Sequence, residues 1–155
     1  MSRGFWKINF ISLFFLIATV FFVIAGEANA LSLAPAIVEV EAEAGESLVQ
    51  KITLFNETNQ PITVYPGLEN FKSQAESPAP QFLGDTDPFG AARWILLPIK
   101  RVTLKPGERT EILLKIKIPD VAEPGGHYAA LLWSEKPAED AGISTASRIG
   151  TLFLF

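Results

Sequence analysis

Cysteine is missing from all 155 residues, and histidine occurs once. The first absence excludes disulfides, thiolate metal sites and cysteine nucleophiles together. The second excludes a metal centre built on several imidazoles, and leaves His127 as the sole residue that could serve a Ser-His-Asp triad. No Gly-x-Ser-x-Gly elbow accompanies it. An exported domain of this size has no need of disulfides, because its core can be large enough without them. Charge is sparse as well: charged residues make up 19% of the chain, below the usual level of about a quarter. Lys and Arg number 13 against 17 Asp and Glu. Residues 1–30 hold Arg3, Lys7 and Glu27, so the remainder keeps 11 basic and 16 acidic residues, a net charge of −5. Nucleic-acid binding needs clustered cations that displace counterions, and the composition excludes that class of partner.

Apolar residues, by contrast, are plentiful at the N-terminus. Arg3 and Lys7 precede Ile8–Ala25, which is apolar except for Asn9, Ser12 and Thr19, and Gly26-Glu27-Ala28-Asn29-Ala30 follows. A basic start, an apolar core and a small-x-small ending at Ala28 and Ala30 are the parts of a signal peptide, with the mature chain beginning at Leu31. The competing reading is an uncleaved anchor, since about 18 apolar residues are enough to span a bilayer. Both readings predict a helix here and place residues 31–155 outside the cytoplasm.

The mature chain alternates in the manner of strands. Leu33–Val40 reads as one strand, held to an edge or a strand start by Pro35. Leu48–Phe55 puts Leu48, Ile52 and Leu54 on one face, and the polar run Asn56–Pro61 leads into Ile62–Tyr65, which together predict a hairpin. Residues 73–92 carry Pro78, Pro80, Pro88, Gly84, Gly90, Asp85 and Asp87 without a period, and read as a long loop. Strand character returns at Trp94–Pro98 and at Arg101–Leu104, which runs into the Pro106-Gly107 turn. Thr110–Ile118 alternates most cleanly: Ile112, Leu114, Ile116 and Ile118 point one way, Glu111, Lys115 and Lys117 the other, and Leu113 is the exception. Gly126–Ser134 and Ile143–Phe155 complete the set. No stretch after residue 30 has a helical period. The expected fold is therefore all-β, an immunoglobulin-like sandwich of about seven strands. The last residues, Thr151-Leu-Phe-Leu-Phe155, would form a sticky exposed edge if left unpaired, so the domain is expected to continue beyond them.

Four segments carry a family resemblance: Leu33-x-Pro35-x-x-Val38-x-Val40, Lys51-Ile-Thr-Leu-Phe-Asn56, Leu104-Lys-Pro-Gly-Glu108 and Pro124-Gly-Gly-His-Tyr-Ala-Ala130. In their order and spacing the chain resembles the DUF916-type domains of bacterial surface proteins, also described as WxL-interacting or peptidoglycan-binding-like. More distantly it resembles the immunoglobulin-like domains of PapD-type pilus chaperones. The resemblance implies an exported sandwich tethered to the bacterial envelope, with further β structure and a membrane anchor following. The export signal, the strand pattern and the lack of catalytic residues point to an envelope protein or cell-wall polymer bound through sheet edges and loops. The ligand-anchoring basic residues of the chaperones are not carried over.

Individual residues give little chemistry. His127 and Tyr128, beside the Gly125-Gly126 turn, and Trp94, after the long loop, are the candidate partner-binding positions; for Trp94 and His127 a structural role is the simpler reading. Tyr128 and Trp133 should face opposite sides of one strand. Asp85, Asp87 and Glu76 lack the spacing of a calcium loop, and Glu39, Glu41 and Glu43 read as a solvated face. Asn56-Glu57-Thr58 matches a glycosylation acceptor, though a turn role explains the asparagine. No cofactor, metal or catalytic set is expected. The leading reading is a non-catalytic exported surface module. The alternative is a periplasmic chaperone-like subunit acting by strand complementation, and a glycan hydrolase using Asp85 or Asp87 comes last.

Overall fold

In the computed structural model, which describes residues 30–74, 77–84, 90–135 and 148–155, the alternating segments form two facing sheets. Among the described residues the strands are β1 (Leu31–Ala34), β2 (Ile37–Glu39), β3 (Ser47–Asn56), β4 (Ile62–Gln74), β5 (Ser77–Gly84), β6 (Ile95–Leu96), β7 (Val102–Leu104), β8 (Arg109–Lys117), β9 (Tyr128–Ser134) and β10 (Arg148–Leu154). A short 3-10 helix, Ala91–Trp94, precedes β6. One sheet has the order β1-β3-β8-β6; the other runs β2-β10-β9-β4-β5, with β7 also paired to β4. The chain is thus an immunoglobulin-like β-sandwich. Residues 1–29, including Ala28, lie outside the described residues, as do Glu76, Asp85 and Asp87. Ala30 is exposed, and its carbonyl accepts a hydrogen bond from the Glu57 N–H.

The core follows from the alternation. On β3 and β8, Ile52, Leu54, Ile112, Leu114 and Ile116 point inward, where they meet Leu131, Trp133 and Phe153 from the opposing sheet. Each such side chain contributes about 2 kcal/mol by leaving water. Tyr128, Ala130 and Leu132 fall on the outer face of their sheet, where they pack with Phe71. Trp133 is buried in the core, so the opposite-face expectation for Tyr128 and Trp133 holds.

Three expectations need correction. Leu33–Val40 is two strands, not one. β1 pairs with β3, the chain crosses at the cis Ala34–Pro35 peptide, and β2 joins the other sheet beside β10. The hairpin between Leu48–Phe55 and Ile62–Tyr65 does not form either. β3 pairs with β1 and β8, whereas β4 pairs with β5, β7 and β9. Asn56 turns the chain out of one sheet and into the other. Its amide donates to the Gln60, Leu104 and Lys105 carbonyls, and its Oδ1 accepts from Thr58. Residues 73–92, finally, are not structureless throughout, because β4 continues to Gln74 and β5 occupies Ser77–Gly84. β5 is an edge strand, where N–H groups on one side face solvent and Pro78 and Pro80 are tolerated. Pro66 sits in β4 between the stretches paired to β7 and β5, and so has a strand on one side only.

The apolar end is not an exposed edge. β10 lies between β9, antiparallel, and β2, parallel, and Phe153 is fully buried. Residues 143–147 of the expected last strand lie outside the described residues.

Candidate functional site

Of the three singled-out residues, the fold brings two together. Asn70 of β4 accepts the Ala92 N–H at 2.9 Å and so anchors the 3-10 turn. That turn drives Trp94 inward, leaving it 6% exposed. Gly90 sits against the Asn70 amide, with a Cβ there falling 2.2 Å from it, so the approach demands glycine. The Trp94 ring centroid lies 4.6 Å from His127 and 5.2 Å from Phe155. His127 exchanges both backbone hydrogen bonds with Phe155. Its ring Nε2 is 2.8 Å from the Glu123 carbonyl; a carbonyl oxygen only accepts, so this nitrogen carries the proton. Gly125, at φ +136°, makes the preceding turn.

Together these groups floor a cleft of about 290 Å³, walled by Ala42, Ala44, Ile118 and Pro124. Trp94 is too deeply buried to offer a ring face to a sugar, and the cleft contains no serine, cysteine or lysine among its lining residues. Tyr128 belongs elsewhere, with its ring 5.5 Å from Phe71 on the outer face of the other sheet. Glu39 ends β2, while Glu41 and Glu43 lie in the following loop, so the three do not share a strand face. Among the described residues no group of three or more His, Asp or Glu gathers as a metal site.

A second feature was not singled out from the sequence: the edge of β10. β2 pairs only with Leu152–Leu154. The Leu152 N–H donates to the Ala36 carbonyl and the Leu154 carbonyl accepts from the Val40 N–H. Backbone direction repeats every second residue along a strand, so Gly150 and Arg148 present their N–H and C=O groups to this same side. Among the described residues no strand pairs there. Gly150 is held close to β9, for a Cβ would lie 2.6 Å from Leu132 Cδ2 and 2.7 Å from the Leu131 carbonyl. Arg148 pairs with Glu69 across the sheet. Sequence could not show this edge, because it exists only once β2 is seen to stop short.

No family model and no curated protein matches the sequence, which leaves the DUF916-type resemblance without a family match. Solved structures do match in fold. A class 5 fimbriae chaperone, CfaA, superposes with a TM-score of 0.54 at 10% identity, over 81% of this chain and 55% of its own. The CsuC–CsuE chaperone–tip adhesion subunit complex of archaic Csu pili from Acinetobacter baumannii gives 0.52 at 14% identity, with the same coverage. A family 123 glycoside hydrolase from Clostridium perfringens gives 0.50 at 12% identity, over 26% of that enzyme. The chain spans about half the length of the two chaperone structures. At these identities the likeness is one of fold, and it is to the immunoglobulin-like domains of pilus chaperones.

Proposed function

We propose that this chain is an exported, non-catalytic module that holds a protein partner by strand addition, in the manner of a chaperone, along the open edge of β10. The observation that carries the reading is the backbone of Arg148 and Gly150 in β10, to which no strand among the described residues pairs on the side away from β9. Such an edge offers donors and acceptors at a two-residue period, which an extended polypeptide matches and a cell-wall glycan does not. Fold likeness to fimbrial chaperones supports it. The basic, apolar, Ala-x-Ala N-terminus supports export, and an extracytoplasmic location follows.

The test is photo-cross-linking in the source cells, with the photoreactive residue at Arg148 or, as a control, at Val121, which is 87% exposed and far from the edge in sequence. A discrete protein adduct from position 148 and none from 121 is the expected result. Equal labelling from both positions, or none from 148, contradicts the proposal.

A further inference from the structure

Leu113 breaks the alternation of β8, and the structure shows what it joins. The outer face of the β1-β3-β8-β6 sheet carries the odd-numbered residues of β3 and β8, and Leu96 of β6 lies in the row of Lys115 and Val49. Val49, Leu113 and Leu96 are 59%, 58% and 53% exposed, and all three adjoin Lys115 or its neighbouring row. The same face holds Lys51, Arg109, Lys115 and Lys117 against the carboxylates of Glu111 and, at the β1 edge, Glu57, which bonds Ser32, in a chain whose net charge is −4. Glu111 is taken by Lys51 at 2.9 Å, and Arg109 lies 5.1 Å from the Phe55 ring centroid. Among the described residues Lys115 and Lys117 have no ion-pair partner. Between them, Val49 and Leu96 lies a shallow depression of about 320 Å³.

We infer that this face docks on an anionic phospholipid surface, independently of the β10 edge. Aliphatic tips interleaved with lysines whose stems can bury while the ammoniums stay wet are the groups such an interface takes up. Lys115 and Lys117 at the rim of the depression meet headgroup phosphates, and Val49, Leu96 and Leu113 reach the acyl boundary. A second copy of the chain, docked face to face, would set these cations against each other. A protein partner of ordinary kind would want a deep pocket for an aromatic or arginine anchor, which this open cationic face does not provide.

The test is co-sedimentation of the full chain with phosphatidylcholine vesicles, with and without abundant phosphatidylglycerol; the apolar N-terminus is common to every arm. The wild type is expected to partition more strongly to the anionic vesicles, and less so as salt rises. K115A/K117A should weaken anionic partitioning by about fivefold per cation removed, while Lys105→Ala, an exposed cation of the β7–β8 turn, leaves it unchanged. Leu113→Ser should weaken it further. All four positions are exposed, and circular dichroism confirms that each variant is folded. Equal partitioning to both vesicle types, or an unchanged K115A/K117A, overturns the inference. Self-association lost in Leu113→Ser without vesicle preference overturns it in favour of a protein contact.

Discussion

Asn56 is fully buried, and both polar atoms of its side chain are used. The amide donates to three carbonyls, two of them on the far side of the arch at Leu104 and Lys105, so the residue ties the arch between the two sheets together. It follows that Asn56-Glu57-Thr58 is not a glycosylation site in the folded chain, because the nitrogen a glycan would modify is enclosed. Asn56→Ala removes these bonds from a fully buried position and is expected to cost about 3 kcal/mol. Asn56→Asp should cost a similar amount, since a carboxylate has no proton to give. Urea unfolding monitored by tryptophan fluorescence checks both. The sequence marked this asparagine as a turn residue, correctly, but pointed to a hairpin. The difference lies in its long-range bonds to Leu104 and Lys105, which no local pattern encodes.

Among the elements, those with strong local chemistry were readable. The inward set Ile112, Leu114 and Ile116 is buried as the alternation required. Pro106-Gly107 makes its turn with Gly107 at φ +69°, and the Gly107 N–H bonds to the Asn56 carbonyl. Gly107→Ala should therefore lose about 1 kcal/mol, from the left-handed backbone alone, as open space surrounds the position. Gly67 in β4 has a negative φ and equally open surroundings. There Gly67→Ala is expected to gain about 0.5 kcal/mol by restricting the unfolded chain. Chemical denaturation of the pair separates the two effects. What was not readable is sheet membership. β1 and β2 are contiguous and similarly apolar, yet belong to different sheets, and β5 was hidden by prolines that only an edge strand accepts. Period-2 patterning reports that a segment is extended, not which neighbour it will find.

At the scale of the molecule, the two sheets close over a core to which the last strand is essential. β10 pairs on both sides, and Phe153 packs parallel to Phe155 at 6.2 Å beneath it. Phe153→Ala is expected to cost about 4 kcal/mol, a large part of the 5–15 kcal/mol by which such domains are stable. Phe153→Leu should cost far less, and thermal unfolding by circular dichroism orders the two. The three candidate partner-binding positions, Trp94, His127 and Tyr128, fall in two places. Trp94 and His127 meet because the 3-10 turn and the β9 entry lie at one end of the sandwich, while Tyr128, one residue on from His127, is turned to the other face by the strand.

The central claim is that β10 receives a partner strand through backbone groups. Its most direct test compares Arg148→Pro with Arg148→Ala. Both remove the surface pair with Glu69, which is worth about 1 kcal/mol or less. Only proline also removes the N–H that faces the open edge, at a strand's first residue where proline is tolerated. Co-isolation of the partner captured from position 148 should survive in Arg148→Ala and be lost in Arg148→Pro. Equal retention in both folded variants would contradict strand addition at this edge.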